Sequence, residues 1–176
     1  MAASTRETTM TEYEFELSFA LPDDKAPEEH LAALFEAGCD DAVVGTGTPG
    51  TIGLAFTREA DSAAEAVRSA IANVQQAIPN AELVEAKPDL VTATDIAEIS
   101  GCSRQNVRQL FMQLKLPTPV FTGRKITVYR LSEIARFEQM KIPGRVAEVA
   151  QITSLFNLEC QRRRLQHSRT ASTRAQ

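Results

Sequence analysis

A chain of 176 residues, 43% hydrophobic and 24% charged with a formal net charge of −4, has room for one or two globular domains. No apolar run approaches the roughly 18 residues of a membrane span, and residues 1–11 lack the apolar core of a signal peptide, so a cytoplasmic protein is expected. Cys39, Cys102 and Cys160 are scattered, odd in number and form no C-x-x-C pair, which argues against a disulfide framework and a zinc site. His30 and His167 have no clustered acidic or cysteine partners and are expected as exposed side chains, not ligands.

The net charge hides an asymmetry. Residues 1–88 hold 16 acidic and 5 basic side chains, a balance of −11; residues 89–176 hold 7 acidic and 14 basic, a balance of +7. The second half should be drawn to phosphates, and the first half repelled by them.

Residues 1–11 are expected to be a disordered tail. Residues 13–21 then alternate strictly, with Tyr13, Phe15, Leu17, Phe19 and Leu21 on one side and Glu14, Glu16, Ser18 and Ala20 on the other, the pattern of a half-buried strand. Pro22-Asp23-Asp24 ends it. A helix over 28–37 places Leu31, Leu34 and Phe35 inward. Short strands follow at 41–45 and 51–57. Asp61 is the expected cap of a longer helix carrying Val67, Ile71, Val74 and Ile78 at helical spacing, and 81–86 is the last strand. Strand, helix, strand, strand, helix, strand is the ferredoxin-like order over residues 12–87: one antiparallel sheet with both helices on one side. The aromatics must face those helices, which leaves Glu14 and Glu16 with small residues on the open side. Such a face repels a polynucleotide and suits a second copy, a small ligand or a basic protein. The run Gly45-Thr-Gly47-Thr-Pro-Gly50 matches G-x-G-x-x-G, but it leads into a strand, not a helix, and reads as a hairpin loop without a cofactor.

Residues 87–91 form a linker, and 88–141 a second domain. Residues 92–111 read as two short helices joined by a tight turn. Thr92 and Asp95 can form a capping box, Ile96 and Ile99 make the apolar side, and Ala97 lies where the helices cross. Gly101 ends the first helix where a left-handed backbone is needed, and Ser103 caps the second. Val107, Leu110 and Phe111 return to the core. The remaining Arg104, Gln105, Asn106, Arg108 and Gln109 are long donors and acceptors, the side chains that pair with guanine and adenine edges in the major groove. Pro117-Thr-Pro119 forces extended chain, and 120–130 reads as a hairpin with Arg124 and Lys125 at its tip. Ser132 is expected to cap another helix, with Ile134, Ala135 and Phe137 inward. A helix-turn-helix followed by a basic-tipped hairpin is a winged helix, in which the hairpin lies along a phosphate strand or the minor groove. A last helix spans about 142–166 with Val146, Val149, Ala150, Phe156 and Cys160 on one stripe. Ile152, Leu155, Leu158 and Leu165 lie on other sides, an apolar surface wide enough to serve partly as a dimer contact. Residues 167–176 are expected to be a disordered basic tail.

Residues 91–137 resemble the winged DNA-binding domains of the MerR and phage-excisionase group. The matching residues are Ile96-Ala97, Ser100-Gly101-Cys102-Ser103, Val107-Arg108, Gly123-Arg124, Tyr129-Arg130 and Ser132-Glu133-Ile134. The resemblance implies major-groove reading by helix 103–112 and action as a homodimer on a palindromic duplex. It assigns DNA contacts to Ser103, Arg104, Gln105, Arg108 and Gln109, with Arg124 and Lys125 in the wing. The expected protein is therefore an α+β, non-enzymatic transcriptional regulator, a repressor by preference, with no cofactor. The alternatives are an antitoxin-type autorepressor whose acidic domain masks a basic partner, and an excisionase-like architectural factor.

Overall fold

The computed structural model describes residues 10–22 and 26–174, with the backbone alone over 167–174. It is a mixed α+β structure with two antiparallel sheets, each with its own core. The first unit contains β1 (Thr11–Ala20), a 3-10 turn (Pro27–His30) running into α1 (Leu31–Glu36), β2 (Ala42–Gly45), β3 (Thr51–Ala60), α2 (Ala63–Ala77) and β4 (Glu82–Lys87). Its strand order is β2-β3-β1-β4. β1 pairs with β3 along its whole length, from Thr11↔Ala60 to Ala20↔Thr51.

Strand alternation sets the two sides of this sheet. Tyr13, Phe15, Leu17 and Phe19 are buried with Ile52, Leu54 and Phe56 across the ladder, and Phe15 stacks on Phe56 at 5.2 Å. Val67, Ala70 and Val74 of α2 complete that core. The other side pairs Glu14 with Thr57, Glu16 with Ala55 and Ser18 with Gly53, so it is acidic and low in relief. The β2–β3 connection holds the glycine-rich run. Gly50 has φ +72° and leads directly into β3, so the run is a hairpin loop.

One polar cluster lies inside this unit. Arg58 is 8% exposed, reaches both carboxylate oxygens of Asp41 at 2.6 and 2.9 Å, and donates to Ser69, Asn73 and the Gly38 carbonyl. Its guanidinium also lies 4.9 Å from the Phe56 ring centre. A buried cation is tolerated when its donors are filled this fully.

The second unit contains β5 (Leu90–Val91), α3 (Ala93–Ser100), α4 (Arg104–Gln113), β6 (Phe121–Thr122), β7 (Thr127–Arg130) and α5 (Leu131–Ile134), then a 3-10 turn at Glu138–Met140. Its strand order is β5-β7-β6. Ile96, Ala97, Val107, Leu131, Ile134 and Met140 form its core. The long α6 (Gly144–Arg174) contributes to both cores, Val149 and Cys160 to the first and Ala150 to the second.

Several expectations change. Thr11, expected in a disordered tail, pairs with Ala60 in β1; residues 1–9 and 23–25 lie outside the described residues. Leu31 and Phe35 are 41% and 68% exposed, because the 3-10 entry sets a phase in which Pro27, His30 and Leu34 point inward. His30 is accordingly buried; the side chain of His167 lies outside the described residues. The cap of α2 is Ser62, whose hydroxyl accepts from the Glu65 amide at 3.2 Å, not Asp61. Ser132 does not cap α5: the helix starts one residue earlier, and the Leu131 amide is taken by the Asp89 carbonyl at 2.7 Å. The segment 167–174 is not a disordered tail but continues α6.

Residues 87–91 are not a loose linker either. The Asp89 carboxylate accepts two hydrogen bonds from Arg130 Nη1, at 2.7 and 2.8 Å, and one from Asn157 Nδ2 at 2.8 Å. The Thr153 hydroxyl donates to the Pro88 carbonyl at 2.5 Å. The Asn157 carboxamide also exchanges two hydrogen bonds with the backbone of Ala86. The end of β4, the connection and the end of β7 are thus fastened to one stripe of α6.

Candidate nucleic-acid interface

The helical pair is built from local signals. The Thr92 amide donates to the Asp95 carboxylate at 2.7 Å, and the Asp95 amide returns to the Thr92 hydroxyl at 3.4 Å, a capping box that starts α3. Gly101 ends α3 at φ +65°, the left-handed conformation that costs a side-chain-bearing residue about 1–2 kcal/mol. Ser103 then starts α4, its hydroxyl accepting from the Asn106 amide at 3.2 Å. Val107 is 1% exposed and is the inward anchor of α4 against α3, with Leu110 and Phe111 partly buried behind it.

With Val107 inward, the rest of the first two turns of α4 faces water. Arg104, Gln105, Arg108 and Gln109 are all exposed, and their spacing of one, three and one residues puts them on one side of the helix. Ser103 stands exposed at the helix start, although its hydroxyl is already engaged as the cap. Asn106 is exposed as well, and Met112, 88% exposed, extends this side by a further turn. Arg104 lies 3.9 Å from Glu98 of α3, with both side chains about 70% exposed. A contact of that length and exposure holds weakly and yields readily to a stronger anion.

Arg124 and Lys125 are on a different element, the turn between β6 and β7, where both are exposed. The Gly123 amide donates to the Ile126 carbonyl at 2.8 Å and closes that turn. The hairpin is tied back to α4 by Phe111, whose ring meets Tyr129 of β7 edge-on at 5.2 Å. Arg130, next to Tyr129, continues into the Asp89 cluster. So Ser103 and the four α4 side chains stand together, and the two hairpin cations are joined to them through an aromatic contact between Phe111 and Tyr129.

Sequence reasoning missed the residues that hold this arrangement: Asp89, Arg130, Thr153 and Asn157. None declares its partner locally, since the partners lie between 41 and 71 residues away. Two signals were present: the connection carries an acid directly after Pro88, and Thr153 and Asn157 fall at helical spacing on the stripe of Val149 and Cys160.

A cleft of about 600 Å³ lies at the edge of the acidic side of the sheet, walled by Glu14, Glu16 and Lys87 on one side and by Leu90, Asp95 and Ile99 on the other. Lys87 stands 3.6 Å from both Glu16 and Glu85, one cation shared between two exposed carboxylates. Among the described residues no group of His, Cys, Asp and Glu could hold a metal ion, and no helix is long and apolar enough to cross a membrane. Comparison of the chain with protein-family models, curated proteins and solved structures gives no match.

Proposed function

We propose that this chain binds duplex DNA in a sequence-dependent way and regulates transcription, with repression as the favoured mode because occupancy of a promoter suffices for it. The observation that carries the reading is the exposed side of α4. Arg104, Gln105, Arg108 and Gln109 project from a capped helix start whose opposite side is fixed by Val107. Arginine can take guanine O6 and N7 together, and glutamine can take adenine N6 and N7.

Two further features support it. A helical pair followed by a hairpin, with strand order β5-β7-β6, is the layout of a winged helix, and the hairpin carries Arg124 and Lys125 at its turn. The strand order β2-β3-β1-β4 suits a ferredoxin-like module for the acidic half, which would face away from the phosphates. Leu155, Leu158 and Leu165 are 63%, 48% and 67% exposed at heptad-like spacing along α6, outside its buried stripe of Val149, Thr153, Asn157 and Cys160. They make a homodimer seam, which a two-fold symmetric site requires.

The test is a gel shift on DNA upstream of the protein's own gene, with scrambled competitor, a salt series and the Arg104→Ala/Gln105→Ala variant. A discrete complex that survives competitor and is lost in the variant is expected. A smear of equal strength on both DNAs, unchanged by the substitutions, would reduce the domain to a phosphate grip. A second reading, an antitoxin-type autorepressor, draws on the exposed Glu12, Glu14 and Glu16 of β1 as a surface for a basic protein. Co-purification of a basic partner under native expression tests it.

A further inference from the structure

The hairpin tip carries more than a phosphate contact needs. Val120, Phe121 and Ile126 are 49%, 56% and 47% exposed, and they bracket the exposed Arg124 and Lys125. Polar side chains would serve a purely electrostatic hairpin at lower cost, since each of these leaves apolar area in water. The tip is also preformed. A Cβ at Gly123 would stand 2.9 Å from the Phe121 ring, so the glycine is what lets the ring close over the turn, with the Ile126 Cγ2 at an ordinary contact distance of 3.5 Å. Val120 and Gly123 donate to the carbonyls of Val128 and Ile126, both at 2.8 Å, which fixes the strands beneath them. Tyr129 and Arg130 then anchor the hairpin to α4 and to the Asp89 cluster. The result is an exposed apolar pair on either side of two adjacent cations, on a hairpin tied to α4 through Tyr129 and Phe111.

We propose that Phe121, backed by Ile126, is a wedge that enters the DNA minor groove beside the site read by α4 and partly unstacks a base step. Arg124 and Lys125 hold the phosphates at the groove walls. The proposal rests on the DNA reading above. The partner is committed to by charge: Arg124 and Lys125 stand in the same turn as the apolar pair, on the half of the chain with a balance of +7. Apolar side chains entering between base steps are a recurrent minor-groove device, in which the cost of unstacking is offset by the added contact.

The experiment uses the full chain and duplexes that it enriches from a random-sequence pool. A fluorescent purine analogue, quenched by stacking, is walked through the enriched duplex. The native chain and Phe121→Leu, which keeps an apolar wedge, are expected to raise emission several-fold at one step outside the major-groove footprint. Phe121→Ala should abolish that rise while the footprint persists. Because Phe121 is half exposed, the substitution leaves the fold intact, which circular dichroism checks. Equal emission from Phe121→Ala and the native chain would overturn the wedge while leaving DNA binding standing; the apolar tip would then belong to a protein contact. Failure of the native chain to enrich any duplex would overturn the DNA reading itself, and the wedge with it.

Discussion

Replacing Arg130 with methionine should cost this protein more than any change on its exposed helices. The substitution keeps the length of the side chain and removes the guanidinium, which leaves the Asp89 carboxylate, 2% exposed, without its cation. Breaking a buried pair by removing one partner costs about 3–5 kcal/mol. The lower end applies here, because Asn157 Nδ2 still reaches the same carboxylate at 2.8 Å. A loss of about 3 kcal/mol in a chain of this size lowers Tm by about 6–12 °C. Urea unfolding followed by circular dichroism measures it, alongside Asp89→Asn and the Asp89→Asn/Arg130→Met double variant. The double variant no longer buries a lone charge, so it should be more stable than the sum of the single losses predicts. A loss below about 1 kcal/mol in Arg130→Met, the value of an exposed pair, would refute the claim that this cluster is closed to water.

Three other outcomes are expected. Gly101→Ala should lose about 1–2 kcal/mol in urea unfolding, because φ is +65° there and a Cβ is strained in that conformation even though the surrounding space is open. Leu155→Glu/Leu158→Glu should give a monomer by analytical ultracentrifugation with unchanged circular dichroism, since both side chains are exposed; a persistent dimer would place the seam elsewhere. A thiol reagent on the folded protein should modify Cys102 first. Burial pushes the Cys39 and Cys160 thiols up, so their thiolate fractions are small, and both side chains are also shielded; rapid reaction at either would contradict their placement.

Local physics made the α3–α4 pair readable. A capping box, a left-handed glycine and a capping serine each act within three residues, so Thr92, Asp95, Gly101 and Ser103 announced their roles in the sequence. Strand alternation did the same for Tyr13, Phe15, Leu17 and Phe19, because a period of two has only one inward side. α1 was misread because a short 3-10 entry rotates the phase, and a six-residue helix is too short for its pattern to correct it. The buried stripe of α6 was read only in its apolar members. Thr153, Ser154 and Asn157 count as surface residues in any hydropathy pattern, yet here they are buried, because their hydrogen bonds are filled by backbone and by Asp89. The connection was misread for the same reason: its Asp89 finds its cation in a strand 41 residues later.

The hydrogen bonds from α6 to β4 bear on what becomes of an open strand edge. β4 is an outer strand of its sheet, and an open strand edge is a template for pairing with other chains. α6 occupies that edge with side chains: Asn157 takes both backbone groups of Ala86, Cys160 donates to the Leu83 carbonyl and Arg164 to the Val84 carbonyl. The opposite edge, β2, is only four residues long. A fragment cut after residue 87 would therefore not be a clean acidic module. It would expose a six-residue strand edge, and the last helix of the chain serves as the cover for a sheet that begins at its first described strand.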